Sequence, residues 1–186
     1  MIDCLKMNNS LKNLEIVGGA MRLRPFLKSD ISNTYVSWLN DLEVVKYSNQ
    51  RFLNHTIESC YDYLKSFSDT ENIYMAVEDK ATKELYGSIT AYIQINHGTA
   101  DIGLMIGNQE TWGKGFGLEA WTLMMDFLLT QRNIRKVTGG TLKVNTGMIR
   151  IMQKSMMIHE ATRKSQELFN NKPVDIFYFC KFSNEK

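Results

Sequence analysis

The chain has 186 residues, of which 44% are hydrophobic and 23% charged, and its formal net charge is +2 at pH 7. This length predicts one domain with a single core, and the composition is that of a globular protein and excludes a disordered chain. So balanced a charge does not favour a nucleic-acid or membrane-surface partner.

Membrane and secretion signals are not evident in the sequence. No apolar run approaches the ~20 residues of a transmembrane helix, and no apolar segment with a small-residue cleavage site stands at the N-terminus. The three cysteines, Cys4, Cys60 and Cys180, are widely spaced and form no CxxC pair. We therefore expect a reduced, cytoplasmic setting.

Hydrophobic periodicity and turn residues predict an alternation of strands and helices along one domain. We expect residues 1–20 to form an N-terminal extension, contributing an edge strand or partly disordered, and residues 21–186 to form the domain. The predicted elements are, in chain order, a strand at 20–26, a helix at 31–39 capped by Ser29-Asp30, a helix at 57–67 capped by Thr56, strands at 73–77, 85–95 and 99–106 with a turn at 78–83, a helix at 118–131, a strand at 137–144, a helix at 148–156, and strands at 158–169 and 174–182 hinged at 170–173.

The order of these elements predicts an α+β fold. The strands at 99–106 and 137–144 are joined by a long helix, and such a crossover makes two strands parallel. The other strands are joined mostly by short turns and should be antiparallel. The expected architecture is a mixed, mostly antiparallel sheet with one central parallel pair and helices on both faces.

A glycine-rich loop is the segment that points most directly to chemistry. Gly113, Gly115 and Gly117 lie between a predicted strand and a predicted helix, with Lys114 among them. Glycines let backbone N–H groups approach a ligand, and a helix N-terminus favours an anion, so the loop is suited to a phosphate. Neither the G-x-G-x-x-G dinucleotide pattern nor the P-loop pattern fits. A plain glycine-rich connector is the alternative.

The loop resembles the acetyl-CoA loop of the GCN5-related N-acetyltransferases (GNAT), whose pattern is [RQ]-x-x-G-x-[GA]. The resemblance is to their ribosomal-protein alanine acetyltransferase-like branch, with Trp112 in place of the first Arg or Gln. Further matching residues are Leu23-Arg24-Pro25 with Asp30, Trp38-Leu39-Asn40-Asp41, Asp101-Ile102-Gly103, Glu119-Ala120 and Asn145.

The resemblance implies a GNAT-like fold in which the central parallel pair splays apart at a cofactor cleft, with acetyl-CoA bound as acyl donor. Backbone groups of the strand end would bind the pantetheine arm, and loop N–H groups the pyrophosphate. The implied cofactor-binding residues are Leu104, Met105, Ile106, Trp112, Gly113, Lys114, Gly115, Phe116, Gly117 and Asn145.

The predicted helix at 148–156 and the residue after it also depart from the family pattern, in which Gly-Phe stands in place of Met156-Met157. Met148 stands where relatives often carry Ser, and Met152 where many carry the Tyr that protonates the CoA thiolate. The usual acid is therefore missing from this helix.

Other polar residues are candidates for proton transfer and acceptor binding. An amine must lose a proton to attack a thioester, and Asp101, at the start of a central strand, is the first candidate base, with Glu78 second. Solvent-exposed carboxylates are the simpler alternative. Trp38, Arg51 and His55 are candidate acceptor contacts, although Trp38 also fits a core position. The three histidines show no metal-ligand spacing, and we expect no metal.

Together these features predict an acetyl-CoA-dependent N-acetyltransferase that transfers an acetyl group directly to a primary amine. The acceptor could be a small molecule, an amino sugar or a protein N-terminus. A homodimer is an open alternative to a monomer, and no nucleic-acid or membrane partner is expected. The rival hypothesis is a catalytically silent acyl-CoA-binding or regulatory module.

Overall fold

The structure is a computed structural model that describes residues 14–183. The described strands are β1 (Ile16–Val17), β2 (Met21–Pro25), β3 (Ile73–Asp79), β4 (Leu85–Gln94), β5 (Thr99–Ile106), β6 (Lys136–Leu142), β7 (Ile158–Phe169) and β8 (Lys172–Phe182). The described helices are α1 (Asn33–Asn40), α2 (Leu42–Val45), α3 (Ile57–Lys65), α4 (Phe116–Thr130) and α5 (Thr146–Lys154).

The strands form one sheet in the order β1-β2-β3-β4-β5-β6-β8-β7. β5 and β6 are parallel, and the other neighbouring strands are antiparallel. The predicted α+β class with its one central parallel pair is therefore confirmed. The edge strand β1 belongs to the expected N-terminal extension, of which residues 1–13, with Cys4, lie outside the described part.

The parallel pair separates after only a few residues. Its last paired position joins Asp101 to Thr138, whereas β5 stays bonded to β4 as far as Ile106 and β6 stays bonded to β8 as far as Leu142. Beyond Asp101 the edge of β5 that faces β6 is therefore unpaired, and we call it the open edge. The splay that the family resemblance implied is confirmed.

Two apolar clusters hold the helices on opposite faces of the sheet. Side chains of α4 and α5 pack on one face around Trp121, which is 1% exposed. Side chains of α1 and α3 pack on the other face against Phe26 and Tyr74. Several methionines fill the first cluster, as flexible side chains suit irregular gaps: Met21, Met75, Met124, Met125 and Met152.

Some local expectations were wrong. Ser32, not Ser29-Asp30, caps α1, because its side chain accepts a hydrogen bond from the N–H of Tyr35 at 3.1 Å. Asp30 instead accepts two hydrogen bonds from Arg24, at 2.7 and 2.8 Å. β3 continues through Glu78, where a turn was expected, because this segment still pairs with β2. The short helix α2 was not predicted.

The part of the chain that the structure describes includes no helix long and apolar enough to cross a membrane. Within the same residues, no group of three or more His, Cys, Asp and Glu side chains is placed to hold a metal ion.

Candidate active site

A cleft of about 730 Å³ lies where β5 and β6 separate. Its first wall is the end of β5, from Gly103 to Ile106, and its second is the glycine loop with the start of α4. α5 forms a third wall, and the segment around α2 forms a fourth. The splay thus brings a free strand edge, a helix N-terminus and a basic helix face to one place.

Two loop glycines adopt backbone conformations that other residues rarely take. Gly113 and Gly115 have φ angles of 77° and 92°, and a Cβ added to either would meet no atom within 4 Å. Gly115 is the N-cap of α4, and no side chain caps this helix. The first N–H groups of a helix lie beyond its own hydrogen-bond ladder, so those of α4 can donate to an anion.

Trp112 holds this loop to the sheet. Its indole N–H donates to the carbonyl oxygen of Ile106 at 2.9 Å, across the turn between β5 and the loop. The departure of Trp112 from the family's Arg or Gln therefore has a structural role in this chain, since it fixes the loop beside the end of β5.

The first turn of α5 borders the cleft through Asn145. Its side chain caps α5 by accepting from the N–H of Met148 at 3.2 Å and donates to Thr141 Oγ1 at 3.0 Å. Met148 also lines the cleft. Met152, the position of the missing acid, is 0% exposed and belongs to the core.

Sequence reasoning missed three cationic residues of the cleft, namely Lys46, Arg150 and Lys154. Arg150 and Lys154 line it from α5, and both are exposed. A spacing of four residues places two side chains on the same helix face, so this signal was present in the sequence. Beside the glycine loop these cations add attraction for a phosphorylated ligand.

Most of the predicted cofactor residues meet in this cleft. Those that line it are Leu104, Met105, Ile106, Trp112, Gly113, Gly115, Gly117 and Asn145. Lys114 and Phe116 are not among the lining residues. Phe116 packs instead against Tyr86, with ring centroids 5.4 Å apart, and Lys114 is exposed.

Asp101 lies at the point where the parallel pair separates. Its carboxylate accepts a hydrogen bond from Thr138 Oγ1 at 2.7 Å. The residue keeps access to solvent, but atoms of the surrounding strands crowd the carboxylate, and this desolvation raises its pKa while the Thr138 hydrogen bond lowers it. A carboxylate with a raised pKa is better matched to accept a proton near neutral pH.

Glu78, the second candidate base, is engaged in ion pairs away from the cleft. It is 2% exposed, and Arg22 Nε donates to its Oε1 at 3.0 Å while Arg24 Nε donates to its Oε2 at 2.6 Å. Both of its carboxylate oxygens are thus occupied by guanidinium groups, and Glu78 is not among the residues that line the cleft. The structure therefore gives no support to a base role for Glu78.

Replacing Glu78 by Gln should lower stability without changing the chemistry. The substitution removes the buried carboxylate and leaves Arg22 paired with the exposed Glu15 and Arg24 paired with Asp30. We expect a loss of about 2–4 kcal/mol in the free energy of unfolding. Urea denaturation measures this loss. Glu15→Gln is the matched control, because Glu15 pairs with the same Arg22 at the exposed surface, where a loss below about 1 kcal/mol is expected. A large fall in kcat/KM for Glu78→Gln in the folded protein would restore Glu78 as a candidate base.

The three predicted acceptor contacts lie near the cleft but are not among its lining residues. Trp38 packs over Gly107, where an added Cβ would be 2.1 Å from the indole ring. Arg51 donates to the carbonyl oxygen of Leu168 at 3.1 Å and so joins its segment to the β7–β8 hairpin. The backbone of His55 is held by Asn40, and its buried Nε2 has no hydrogen-bond partner among the described residues.

The other end of the cleft is lined by hydroxyl-bearing side chains that sequence reasoning did not single out for binding. We call this region the acceptor end and define it by Tyr35, Tyr63, Tyr74 and Ser88. These residues come from α1, α3, β3 and β4 and meet only in the folded chain.

A second cavity, of about 810 Å³, lies between α3 and the strand ends at Pro25 of β2 and Ile73 of β3. Its lining is largely apolar and aromatic, with Phe26, Tyr61 and Phe67 among its residues, and it includes none of the loop glycines. Lys28 and Lys65 also line this cavity, but it lies apart from the glycine loop, and we assign no function to it.

Comparison with known proteins identifies the family. A sequence model of the acetyltransferase (GNAT) domain matches residues 20–157, which is well over half of the chain. The chain therefore belongs to the GNAT acetyltransferase family.

Individual relatives are distant in sequence. An uncharacterized N-acetyltransferase, p20 of Bacillus licheniformis, is 26% identical over 107 residues, which are 57% of this chain and 60% of that protein. The match thus spans less than two thirds of this relative's length.

Solved structures share the fold. A spermidine N-acetyltransferase from Vibrio cholerae, in complex with CoA and spermine, has a TM-score of 0.79 at 18% identity, with 89% of this chain and 97% of that chain covered. A ribosomal-protein-S5-alanine acetyltransferase from Vibrio fischeri has a TM-score of 0.77 at 16% identity, with 93% of this chain and 98% of that chain covered.

Proposed function

We propose that this protein is an acetyl-CoA-dependent N-acetyltransferase that transfers an acetyl group directly to a primary amine. The observation that carries the proposal is the open edge of β5 beside the uncapped N-terminus of α4. One surface offers unpaired backbone groups to an amide-containing arm, and the other offers donors to a pyrophosphate. Acetyl-CoA has both of these parts.

The residues of the cleft fit such a donor. The glycine loop has open space where a side chain of any other residue would project, so a phosphate can approach the backbone closely. Arg150 and Lys154 border the same cleft and supply positive charge for phosphate oxygens. The structural neighbour from Vibrio cholerae was solved with CoA, which agrees with this assignment.

Direct transfer requires a neutral amine close to the thioester carbon. Binding both substrates in one cleft supplies proximity, and a backbone N–H of the open edge would polarise the carbonyl oxygen. Asp101 lies at the base of the splay and is not among the residues that line the cleft, so we assign it the removal of the amine proton through water. The tetrahedral intermediate then collapses with release of the CoA thiolate.

Protonation of the leaving thiolate needs no dedicated side chain. Met152 replaces the usual Tyr and is buried in the core, so this helix offers no acid at that position. A thiol has a pKa of about 8.5, and its conjugate base is a moderate leaving group that water can protonate. Amine deprotonation is therefore the step that should control the pH response.

The second candidate function is a silent acyl-CoA-binding module. Met148 on the cleft wall and Met152 in the core, where relatives often carry polar residues, favour it. In this alternative the protein binds acyl-CoA in the same cleft but does not transfer the acyl group to an amine.

An acetyl-transfer assay distinguishes the two functions. We expect CoA thiol release that depends on an added primary amine, with a mass increase of one acetyl group on that amine. As a control, titration of the protein with acetyl-CoA in a calorimeter measures whether the donor binds. Tight binding of acetyl-CoA without thiol release across peptides, polyamines, amino sugars and simple monoamines would favour the silent module.

A further inference from the structure

The acceptor end is built from rings and aliphatic side chains. Tyr35, Tyr63 and Tyr74 line it together with Leu39, Val44 and Val45. Tyr63 packs edge-to-face on Tyr74, with ring centroids 5.4 Å apart. Such a surface favours an apolar or aromatic body, because burying it releases water from both partners.

The charges at the cleft oppose a substrate with several positive charges. Glu43 is the one carboxylate among the described residues that line it. Lys46 Nζ donates to this carboxylate at 2.7 Å, so its charge is already compensated. The other charged lining residues are Arg150 and Lys154, which the proposed donor site uses for phosphate oxygens. No uncompensated carboxylate among the described lining residues is therefore left to hold a second ammonium group.

The buried polar groups at this end are neutral. The hydroxyls of Tyr35 and Tyr74 lie 2.5 Å apart, and Tyr35 also lies 3.3 Å from Ser88 Oγ. Burial raises the pKa of both tyrosines, so they stay protonated. These hydroxyls can hydrogen-bond an amine nitrogen or one neutral polar group, but they supply no counter-charge for a second ammonium.

The wall that carries Lys46 is held in place by contacts to the β7–β8 hairpin. Tyr47 stacks on Phe169 with ring centroids 5.5 Å apart, and Arg51 is hydrogen-bonded to the carbonyl oxygen of Leu168. Two independent contacts therefore limit how far this wall can move to accommodate a second ammonium group. We therefore expect the charge and shape of the acceptor end to stay nearly unchanged when a substrate binds.

We propose that the acceptor is a primary monoamine with an uncharged apolar or aromatic body, and that polyamines are discriminated against. This inference rests on the proposed acetyltransferase function. It separates the chain from the spermidine N-acetyltransferase whose fold it shares.

The test compares kcat/KM for 2-phenylethylamine, hexylamine and spermidine at fixed acetyl-CoA and low salt. We expect both monoamines to exceed spermidine by ~10-fold or more, as expected for one or two uncompensated charges near a protein surface. Added salt should narrow this difference, because it screens exposed charges.

A pair of variants isolates the electrostatic cause. Lys46→Gln frees the Glu43 carboxylate and removes one cation, so kcat/KM for spermidine should rise by roughly 3–10-fold relative to kcat/KM for 2-phenylethylamine. Lys46→Arg keeps the charge and should leave the ratio of kcat/KM for spermidine to kcat/KM for 2-phenylethylamine unchanged.

The outcomes separate the inference from the function on which it rests. A wild-type protein that acetylates spermidine, or a peptide N-terminus, better than both monoamines would overturn the acceptor assignment and leave the acetyltransferase standing. Lys46→Gln without effect on the ratio would overturn the electrostatic argument. No acetylation of any amine, with acetyl-CoA still bound, would overturn the proposed function and this inference with it.

Discussion

Replacing Asp101 by Asn should lower kcat/KM by ~10²-fold at pH 7, which is the usual contribution of a general base. The substitution keeps the size of the side chain and can still accept the hydrogen bond from Thr138. Only the capacity to take a proton is lost. Initial rates with a monoamine acceptor between pH 6 and 10 measure the effect.

The pH dependence distinguishes a base from a merely structural residue. The deficit of Asp101→Asn should shrink as the pH approaches the pKa of the amine, because the acceptor then arrives already neutral. A deficit that is constant across pH would mean that Asp101 only holds the strand end in place. Full activity at pH 7 would remove Asp101 from the mechanism and leave water as the route for the proton.

The pKa shift also predicts the direction of the stability change. Desolvation raises the pKa of Asp101 in the folded state, so its favourable contribution is present at acidic pH and is lost as the pH rises through the folded pKa. At pH 7 the charged carboxylate is therefore less favourable than a neutral amide. Asp101→Asn should keep or raise Tm at pH 7, and the difference from wild type should vanish in strong acid.

Thr138→Val provides a matched control. It removes the hydrogen bond that lowers the pKa of Asp101 and leaves the carboxylate in place. The acidic limb of the rate profile should move to higher pH, while the rate on the plateau stays close to that of wild type. If the acidic limb stays at the same pH in Thr138→Val, the ionisation of Asp101 does not determine the position of that limb.

Gly115→Glu should weaken the binding of acetyl-CoA by ~10-fold or more. The side chain would project into the open space at the start of α4, where the pyrophosphate is proposed to lie, and would bring a negative charge against it. Isothermal calorimetry with CoA measures the change, and circular dichroism checks that the variant is folded.

Gly115→Ala separates the charge from the backbone strain. The φ angle of 92° is unfavourable for alanine, at a cost of about 1–2 kcal/mol, but the methyl group meets no neighbouring atom. We expect Gly115→Ala to lose some stability and much less affinity than Gly115→Glu. Unchanged CoA binding by a folded Gly115→Glu protein would contradict the loop assignment.

The sequence alone determined the features that depend on neighbouring residues. Alternating and helical periodicity predicted most strands and helices, because each pattern reflects one buried face. The glycine loop was also evident from the sequence, because the positive φ angles at Gly113 and Gly115 are a local requirement that only glycine meets easily. The helix between β5 and β6 was enough to predict the parallel pair.

Only the tertiary structure decided which polar groups are free and which are paired. Glu78 and Asp101 are both candidate bases in the sequence, but the first is held by Arg22 and Arg24 of the neighbouring strand, and the second lies at the splay. The acceptor end depends likewise on Tyr35, Tyr63, Tyr74 and Ser88, which four separate elements bring together. Burial and ion pairing arise from contacts between segments that are distant in the chain. Local hydrophobic periodicity therefore cannot predict them.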